Sequence, residues 1–394
     1  MAGSLEQRGK NRWRLVVSCG MDANGKQVKK TKTVTATSRR EAEKELAKLV
    51  AEIEKGLFVE PSRLTFADFV ERWLRDYAET SLAPKTLFRY KQLLSSRILP
   101  AMGHLKLEQI KPLHLMEFYS NLQEDGIRAD GKTGGLSEKT ILYHHRVISS
   151  ILQDAVEWQV LPANPASRVK PPKAPRKQAA SYDEEQTAAL LEAAAREPLK
   201  YRVMIVLEVA TGLRRGELMG LEWKDVNFER GTIEVRQTSQ YLPDQGVFTK
   251  EPKTETSKRM IAVPSSVMAL LKEYRTHQLE ERLKAGDLWK GSDRLFTTWD
   301  GQPMHPDTIS KWFPKFLKRH WLPPLPFHGL RHTSTTLLIA QGVNVKNIST
   351  RLGHASISTT MDIYGHALKS ADREAADKLD HLFSGNVKQK KGQG

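Results

Sequence analysis

The chain has 394 residues, 39% of them hydrophobic, and carries a formal net charge of +16. This length allows two or three domains with separate cores, and the positive charge indicates a polyanionic partner, most simply nucleic acid. A single cysteine, Cys19, excludes an internal disulfide framework and a cysteine-based zinc site. The apolar runs are too short to span a membrane and the N-terminus lacks the apolar segment of a signal peptide. We therefore expect a cytoplasmic protein, associated with a bacterial nucleoid when bound.

Residues 1–57 have the pattern of a small domain that combines a sheet with a helix. Two stretches rich in β-branched residues flank a D-A-N-G turn signal. Ser38 and Glu41 then form a capping-box pattern that opens a helix to about Lys55. The strands are predicted at 13–19 and 27–35.

The first domain is basic, with 13 Lys and Arg against seven Asp and Glu over residues 1–55. Four lysines on or beside the second strand could follow a DNA backbone, and a sheet can also enter a groove. An ordinary basic β-ribbon is the alternative. The candidate DNA contacts are Lys26, Lys29, Lys30 and Lys32.

Residues 64–163 are predicted to form a compact helical domain. Apolar residues recur every three or four positions after Thr65, which has the side chain of an N-cap, and Ser137 opens a long helix to about Trp158. Basic and acidic residues are equal in number here, but one face could still contact DNA. The candidate contacts are Lys85, Arg89, Lys139 and Arg146.

The run 164–180 is rich in Pro and basic residues and contains no acidic residue. Such a composition is typical of an extended, solvated linker. We expect this linker to lie along phosphates while the domains on either side hold opposite sides of a duplex. Its candidate DNA contacts are Arg168, Lys170, Lys173, Arg176 and Lys177.

Residues 181–385 are predicted to form a mostly helical domain with a small antiparallel sheet, followed by a basic tail at 386–394. Ser181 and Glu184 have capping-box spacing at the start of this domain. The fold class is therefore α+β with several domains. Its strands are predicted at 231–238 and 259–263, and its helices at 201–210, 265–283, 306–320, 345–352 and 372–383.

One stretch near the C-terminus gathers two kinds of phosphate-binding cation and one phenol. A helix beginning near His328 would place His328, Arg331 and His332 on one face. His354 follows a second helix in its terminal turn, and Tyr364 lies ten residues later. Arginine gives a permanently charged fork for phosphate oxygens, and histidine can move a proton near neutral pH. Together these residues suit phosphoryl transfer with the phenol as nucleophile.

A zinc site is the competing interpretation of the histidines. It is disfavoured because the stretch contains neither a cysteine nor an H-E-x-x-H motif. We expect His332 and His366 to be structural or close to the phosphate without reacting. The zinc ligands would have been His328, His332, His354 and His366.

The order of these motifs resembles the tyrosine recombinase (phage integrase) family. The first two domains resemble, more loosely, the arm-binding and core-binding domains that integrases of phages and conjugative transposons carry before their catalytic domain. The five matching elements are T-G-L-R-x-x-E (Thr211 to Glu217), Lys253 in a β-hairpin turn, H-x-x-R (His328 to Arg331), L-G-H (Leu352 to His354) and Tyr364.

The resemblance implies a role for each matching residue. Tyr364 would attack the phosphorus, form a covalent 3′-phosphotyrosine and expel a 5′ hydroxyl, with Lys253 as the general acid for that oxygen. His328 would assist proton transfer at Tyr364, and Glu217 would orient an active-site side chain. The phosphate would be held by Arg214, Arg331 and His354. Of the two adjacent arginines, the family spacing selects Arg214 and not Arg215. No metal or other cofactor is implied.

The resemblance also implies a homotetramer on double-stranded DNA that exchanges one pair of strands at a time through a Holliday junction. Its purpose would be integration or excision of a mobile element, and an excisionase or a DNA-bending protein could assist. The segment 372–383 could dock on a neighbouring protomer or on its own domain. Two other classes were weighed: a type IB topoisomerase, which the domain order disfavours, and a non-catalytic DNA-binding regulator, which the complete residue set disfavours.

Overall fold

The computed structural model describes residues 3–21, 25–54, 64–173, 175, 180–251, 258–354, 356–357 and 361. By its internal contacts the chain divides into two compact units, Met1–Arg176 and Lys177–Gly394. The architecture is mixed helix and small antiparallel sheet, which confirms the predicted α+β class. No helix among the described residues is long and apolar enough to cross a membrane.

The N-terminal part is a three-stranded antiparallel sheet covered by one helix. The sheet has the order β1-β2-β3, and buried Leu15 and Val17 of its central strand pack against Leu49 and Ile53 of the helix. Sequence reasoning missed the first strand because its residues, GSLEQRG, contain a single apolar side chain, Leu5. The elements are β1 (Gly3–Gly9), β2 (Arg12–Met21), β3 (Gln27–Thr35) and α1 (Arg39–Glu54).

The next part is helical, with a core that includes fully buried Phe66 and Trp73. The predicted caps are confirmed: the Thr65 hydroxyl accepts from the backbone N–H of Asp68, and Ser137 caps the long helix. Two helices continue through a π-helical turn, at Leu74–Ala78 and Leu94–Ile98. The helices are α2 (Phe66–Trp73), α3 (Glu79–Ser81), α4 (Pro84–Leu93), α5 (Leu99–Met102), α6 (Pro112–Asn121) and α7 (Glu138–Glu157).

The beginning of the linker differs from the prediction. Pro165–Arg168 form a 3-10 turn, and Ala166 and Val169 are buried in the core of the helical part. The turn is fixed by Asn164, whose amide donates to the Ser149 carbonyl at 2.9 Å. The expectation of an extended chain from Asn164 onward was therefore wrong, because Ala166 and Val169 pack into the core of the helical part.

The second unit contains seven helices and five strands among its described residues, around a core that includes Leu213, Phe313 and Leu330. Its strands form the sheet β4-β5-β8 and the hairpin β6-β7. The elements are α8 (Glu184–Ala195), α9 (Leu199–Thr211), α10 (Arg215–Leu218), β4 (Val226–Asn227), β5 (Thr232–Val235), β6 (Thr238–Leu242), β7 (Gly246–Lys250), β8 (Arg259–Ala262), α11 (Ser265–Ala285), α12 (Asp307–Arg319), α13 (Gly329–Ala340) and α14 (Val345–Leu352).

Two local predictions for this unit were wrong. Asp183, and not Ser181, is the N-cap of α8, because its carboxylate accepts from the N–H of Gln186 at 2.8 Å and Gln186 completes the box. The expected strand at 231–238 is interrupted because the chain leaves one sheet at Val235 and enters another, the hairpin β6-β7, at Thr238. Between the two strands, the side chain of Arg236 binds Glu222. The chain then forms β6 and β7 before it returns to β8.

Candidate active site

Arg214 is placed by a sharp turn at the end of α9. Gly212 adopts a left-handed conformation with φ of +62°, and a Cβ there would lie 2.5 Å from Leu352 Cδ2. Only glycine tolerates both the backbone conformation and this close approach. The chain turns there, and Arg214 becomes the N-cap residue of α10 with 38% of its side chain exposed.

Arg331 lies on α13, which packs on α9, and is only 2% exposed. Its guanidinium donates through Nη1 to the Gly212 carbonyl at 2.6 Å and through Nη2 to the Leu352 carbonyl at 2.8 Å. Burial, together with the neighbouring Arg214, lowers the pKa of Arg331 to about 10, so the side chain is still charged at neutral pH. A buried, fixed cation is suited to stabilising charge that develops on a phosphate.

Arg214 is also held at the C-terminal end of α14. Its Nη2 donates to the Gly353 carbonyl at 2.9 Å, and its Nη1 donates to Glu217 Oε1 at 2.8 Å. The two arginines thus bind consecutive carbonyls at the C-terminal end of α14, where the helix dipole favours cations. These bonds use only some of the five N–H donors of each guanidinium, and the remaining N–H groups of the two side chains can donate to a phosphate.

Glu217 is buried and forms a bridge between two arginines. Besides the side chain of Arg214, it accepts the backbone N–H of that residue at 3.0 Å and Nη2 of Arg259 at 2.8 Å. Burial alone would raise the pKa of Glu217, but the hydrogen bonds from Arg259 and Arg214 lower it. The carboxylate is therefore ionised and accepts hydrogen bonds from both arginines.

The histidines surround the same cluster. The rings of His328 and His332 meet edge to face with centroids 5.2 Å apart, and His354 follows the end of α14 directly. Burial, helped by the neighbouring His332 and Arg331, lowers the pKa of His328 to about 4, and burial together with Arg331 lowers the pKa of His354 to about 4. Both rings are therefore neutral at pH 7 in the DNA-free protein. A bound phosphate adds negative charge and raises these pKa values, which favours proton uptake during the reaction.

The neighbouring Arg215 points elsewhere. Its Nη1 donates to Ser310 Oγ at 2.8 Å and lies 2.7 Å from Asp307 Oδ1, both on α12. This arrangement supports Arg214 as the arginine of the site. Among the described residues, no three His, Cys, Asp or Glu side chains are grouped to hold a metal, so the zinc interpretation gains no support.

Three of the residues considered for the active site, Lys253, Tyr364 and His366, lie outside the described residues. The described strands on either side of the Lys253 segment are β7 and β8, which belong to different sheets. The final segment, 372–383, also lies outside the described residues.

Sequence reasoning missed two buried charged residues of this site. Arg259 on β8 contacts Glu217, and no pattern in its surroundings distinguishes it from other strand arginines. Glu208 on α9 is completely buried, and neither carboxylate oxygen has a hydrogen-bond partner among the described residues. The available signal for Glu208 was a single acid inside an apolar helix, six residues before Arg214.

Burial raises the pKa of Glu208 well above its ordinary value of 4.5, although the nearby Arg331 and Arg259 oppose the shift. The unfolded chain releases this proton near pH 4.5 while the folded protein keeps it, so stability falls as pH rises toward the folded pKa. We expect Glu208→Gln, which cannot titrate, to remove up to about 1.4 kcal/mol per pH unit from that fall.

Urea unfolding between about pH 5 and 8 measures this slope. Glu234→Gln, on the exposed side of β5, is the matched control and should unfold like the parent chain. An unchanged slope for Glu208→Gln would mean that Glu208 is ionised in the folded protein.

The candidate DNA contacts are mostly exposed but are not all on one face. In the sheet, Lys29 pairs with Ser18 and Lys32 pairs with buried Leu15, so these two lysines lie on opposite faces. Lys32 Nζ also lies 3.7 Å from Glu52 of α1. Arg176 and Lys177 lie outside the described residues, whereas exposed positions are held by Lys26, Lys29, Lys85, Arg89, Lys139, Arg146, Arg168, Lys170 and Lys173.

Comparison with known proteins decides the family. The Phage integrase family model matches residues 181–371, and the model for the phage integrase N-terminal SAM-like domain matches residues 65–123. A tyrosine recombinase XerC-like protein of Caldanaerobacter subterraneus is 30% identical, over 96% of this chain and 98% of its own length. The chain belongs to the tyrosine recombinase (phage integrase) family.

Other integrases agree with this assignment. The ICEBs1 integrase of Bacillus subtilis is 27% identical over 96% of this chain and 100% of its own length. The Tn1549 transposon integrase, solved with circular intermediate DNA, has the same fold, with 22% identity, a TM-score of 0.65 and coverage of 80% of this chain and 99% of its own. Lambda integrase, solved as a tetramer on a Holliday junction, is 18% identical with a TM-score of 0.55, over 91% and 94% of the two chains.

This recombinase is therefore a site-specific enzyme that cuts and rejoins DNA, as the sequence interpretation predicted. The family assignment sets aside the topoisomerase and the non-catalytic regulator.

Proposed function

We propose that Arg214, Arg331 and His354 bind the scissile phosphate and that Tyr364 is the nucleophile. The observation that carries this proposal is the attachment of two guanidiniums to consecutive carbonyls at the end of α14, directly before His354. Two fixed cations and a neutral imidazole donor oppose the charge that builds on the phosphate oxygens in the transition state. Arg214, the more exposed of the two arginines, is the one a phosphate meets first.

In the proposed reaction, Tyr364 Oη forms a bond to phosphorus as the bond from phosphorus to the 5′ oxygen breaks. Neutral His328 accepts the phenol proton, and Lys253 gives a proton to the departing 5′ oxygen. The product is a 3′-phosphotyrosine and a free 5′ hydroxyl. Rejoining is the same sequence in reverse, and because the phosphotyrosine preserves the phosphodiester energy, neither metal nor nucleotide is needed.

We also propose functions for the other parts of the chain. Residues 1–57 would bind arm-type DNA sites, residues 64–169 the core site, and the remaining linker 170–180 the backbone between contacts, with residues 181–385 as the catalytic domain and 386–394 as a basic tail. Support comes from the exposed basic residues of these parts and from the match of the SAM-like model to residues 65–123.

The assembly we propose is a homotetramer on two DNA sites that exchanges strands through a Holliday junction. It would act in the cytoplasm of a bacterium to integrate or excise a mobile element. Integrases of an integrative element, a transposon and a phage among the similar proteins support this assignment. An excisionase or a DNA-bending protein is the accessory partner we propose for choosing between integration and excision.

The test uses the purified full chain and duplex DNA from the flanks of its own gene, in buffer with a chelator. The expected result is a protein-DNA adduct that survives detergent, and recombinant junctions that all map to one sequence. An absolute requirement for magnesium in cleavage would overturn the proposed chemistry. Relaxation of any supercoiled DNA without sequence preference would favour topoisomerase action instead.

Lys253 can be tested separately as the general acid. Lys253→Ala should slow cleavage of normal DNA by about 10² to 10⁴, because the 5′ oxygen must leave without a proton. A substrate with sulfur in place of that oxygen leaves readily as a thiolate and should restore most of the rate. Lys250→Ala, at the end of β7, is the control and should cut both substrates at the parent rate. If the sulfur substrate gives no rescue, another residue is the acid.

A further inference from the structure

Arg259 is a buried cation at the edge of the arginine cluster. It is the first residue of β8, the strand that follows the segment containing Lys253, and only 6% of its side chain is exposed. Its Nη2 donates to Glu217 Oε2 at 2.8 Å, and its Nε donates to the Arg351 carbonyl at 2.7 Å. One guanidinium thus joins β8, α10 and the last turn of α14.

The contacts of Arg259 coincide with those that hold Arg214. Glu217 accepts hydrogen bonds from both arginines, and its Oε2 receives both the N–H of Arg214 and Nη2 of Arg259. The second anchor of Arg214 is the Gly353 carbonyl, and Arg259 packs on that residue so closely that a Cβ on Gly353 would lie 2.8 Å from Arg259 Nη1. Gly353 has φ of +64°, so glycine is required there for conformation as well as for space.

The charge of Glu217 also depends on Arg259. A carboxylate as deeply buried as Glu217 is stable in its ionised form only when its lone pairs are satisfied by charged donors. Without Arg259, one of its oxygens keeps only the backbone N–H of Arg214 among the described residues. Glu217 would then rotate toward its remaining partners or take up a proton, and the side chain of Arg214 would lose its fixed direction.

We propose that Arg259 is a positioning residue for recombination: by binding Glu217 and the end of α14, it holds the guanidinium of Arg214 in the orientation that receives the phosphate. It also joins β8 to the same carboxylate and to the last turn of α14. The inference rests on the role proposed for Arg214 and adds a residue that does not itself touch DNA.

Arg351 provides a matched control for Arg259. It is also a half-buried arginine that joins elements of the same region, since its Nη2 donates to the Ala210 carbonyl at 2.8 Å and to the Ala262 carbonyl at 3.0 Å. No hydrogen bond or ion pair with Glu217 or Arg214 is found for its side chain among the described residues. A purely structural role would therefore give Arg259→Met and Arg351→Met similar consequences.

The experiment measures single-turnover cleavage, affinity for one core site and thermal unfolding of the full-length variants. Arg259→Met is expected to slow cleavage by about 10- to 100-fold, the usual effect of removing a partner that orients a reactive group. Affinity for the site should change by less than about three-fold. Arg351→Met should cut at nearly the parent rate at a temperature where both variants are folded. Arg259→Lys, which keeps the charge without the fork, should be intermediate.

A double-variant cycle separates positioning from general damage. In an Arg214→Ala background, Arg259→Met should add less than about three-fold, because its target is already missing. An additive loss, or an equal loss in Arg351→Met, would overturn the positioning role. If Arg259→Met does not fold, Arg259→Lys is carried through the same cycle with the same criteria. If Arg214→Ala alone cuts at the parent rate, the role proposed for Arg214 fails, and the inference about Arg259 fails with it.

Discussion

Tyr364→Phe is expected to form no covalent protein-DNA adduct while binding its core site as tightly as the parent chain. The substitution removes only the phenol oxygen, which is the atom proposed to bond to phosphorus, and leaves the ring to pack as before. The phosphate-binding arginines do not depend on that oxygen. Adduct formation on a nicked core-site duplex, followed by denaturing gel, measures the first quantity, and fluorescence anisotropy measures the second.

Tyr241→Phe is the control for this variant, because Tyr241 lies partly exposed on β6 and no catalytic role is proposed for it. It should form adduct at the parent level. A covalent complex that persists with Tyr364→Phe would show that another residue attacks the phosphorus. Loss of binding in the same variant would show that the phenol contributes to recognition as well.

Arg331→Ala and Arg214→Ala are each expected to slow cleavage by on the order of 10² to 10³ or more, as removal of a fixed oxyanion donor does in other enzymes. Arg331→Ala should also lower stability by about 1–3 kcal/mol, because two buried carbonyls, of Gly212 and Leu352, lose their donor. Arg214, which is more exposed, should affect stability less. Rates are compared under single-turnover conditions at a temperature where each variant is folded.

The adjacent Arg215 gives the control for these two variants. Its side chain is held by Ser310 and Asp307 on α12, so Arg215→Ala should change stability slightly and the cleavage rate by less than about ten-fold. Equal losses of rate from Arg214→Ala and Arg215→Ala would contradict this prediction. They would mean that the reaction needs positive charge in this region and not a guanidinium held in one orientation.

The local parts of this fold could be predicted from sequence because their causes are local. Thr65 and Ser137 cap their helices as expected, and the T-G-L-R and L-G-H motifs each end a helix at a left-handed glycine. The family resemblance also predicted Arg214 and Arg331 in one site, and in the structure both donate to carbonyls at the end of α14.

The missed features depend on contacts between distant segments. Arg259 and Glu217 are 42 positions apart, and neither strand pattern nor charge count indicates that they bind. Asp183 displaced Ser181 as a cap because Ser181 has a tertiary partner, Thr336. The strand β1 is mostly polar and exists because the edge of β2 offers a ladder of hydrogen bonds. Sequence periodicity predicts which face of a helix or strand is buried, but it does not predict which distant segment that face contacts.

The long-range anchoring of the two arginines has a consequence during biosynthesis. Arg331 donates to a carbonyl 119 positions earlier in the chain, and Arg214 donates to one 139 positions later. A nascent chain that ends before α14 therefore lacks the acceptors at Leu352 and Gly353, and offers Arg331 only the Gly212 carbonyl and Arg214 only Glu217 of the acceptors described above. Contacts of such separation form late in folding because their loop-closure entropy is large. Until α14 has been made, the proposed phosphate site is therefore incomplete, although both of its arginines are already part of the chain.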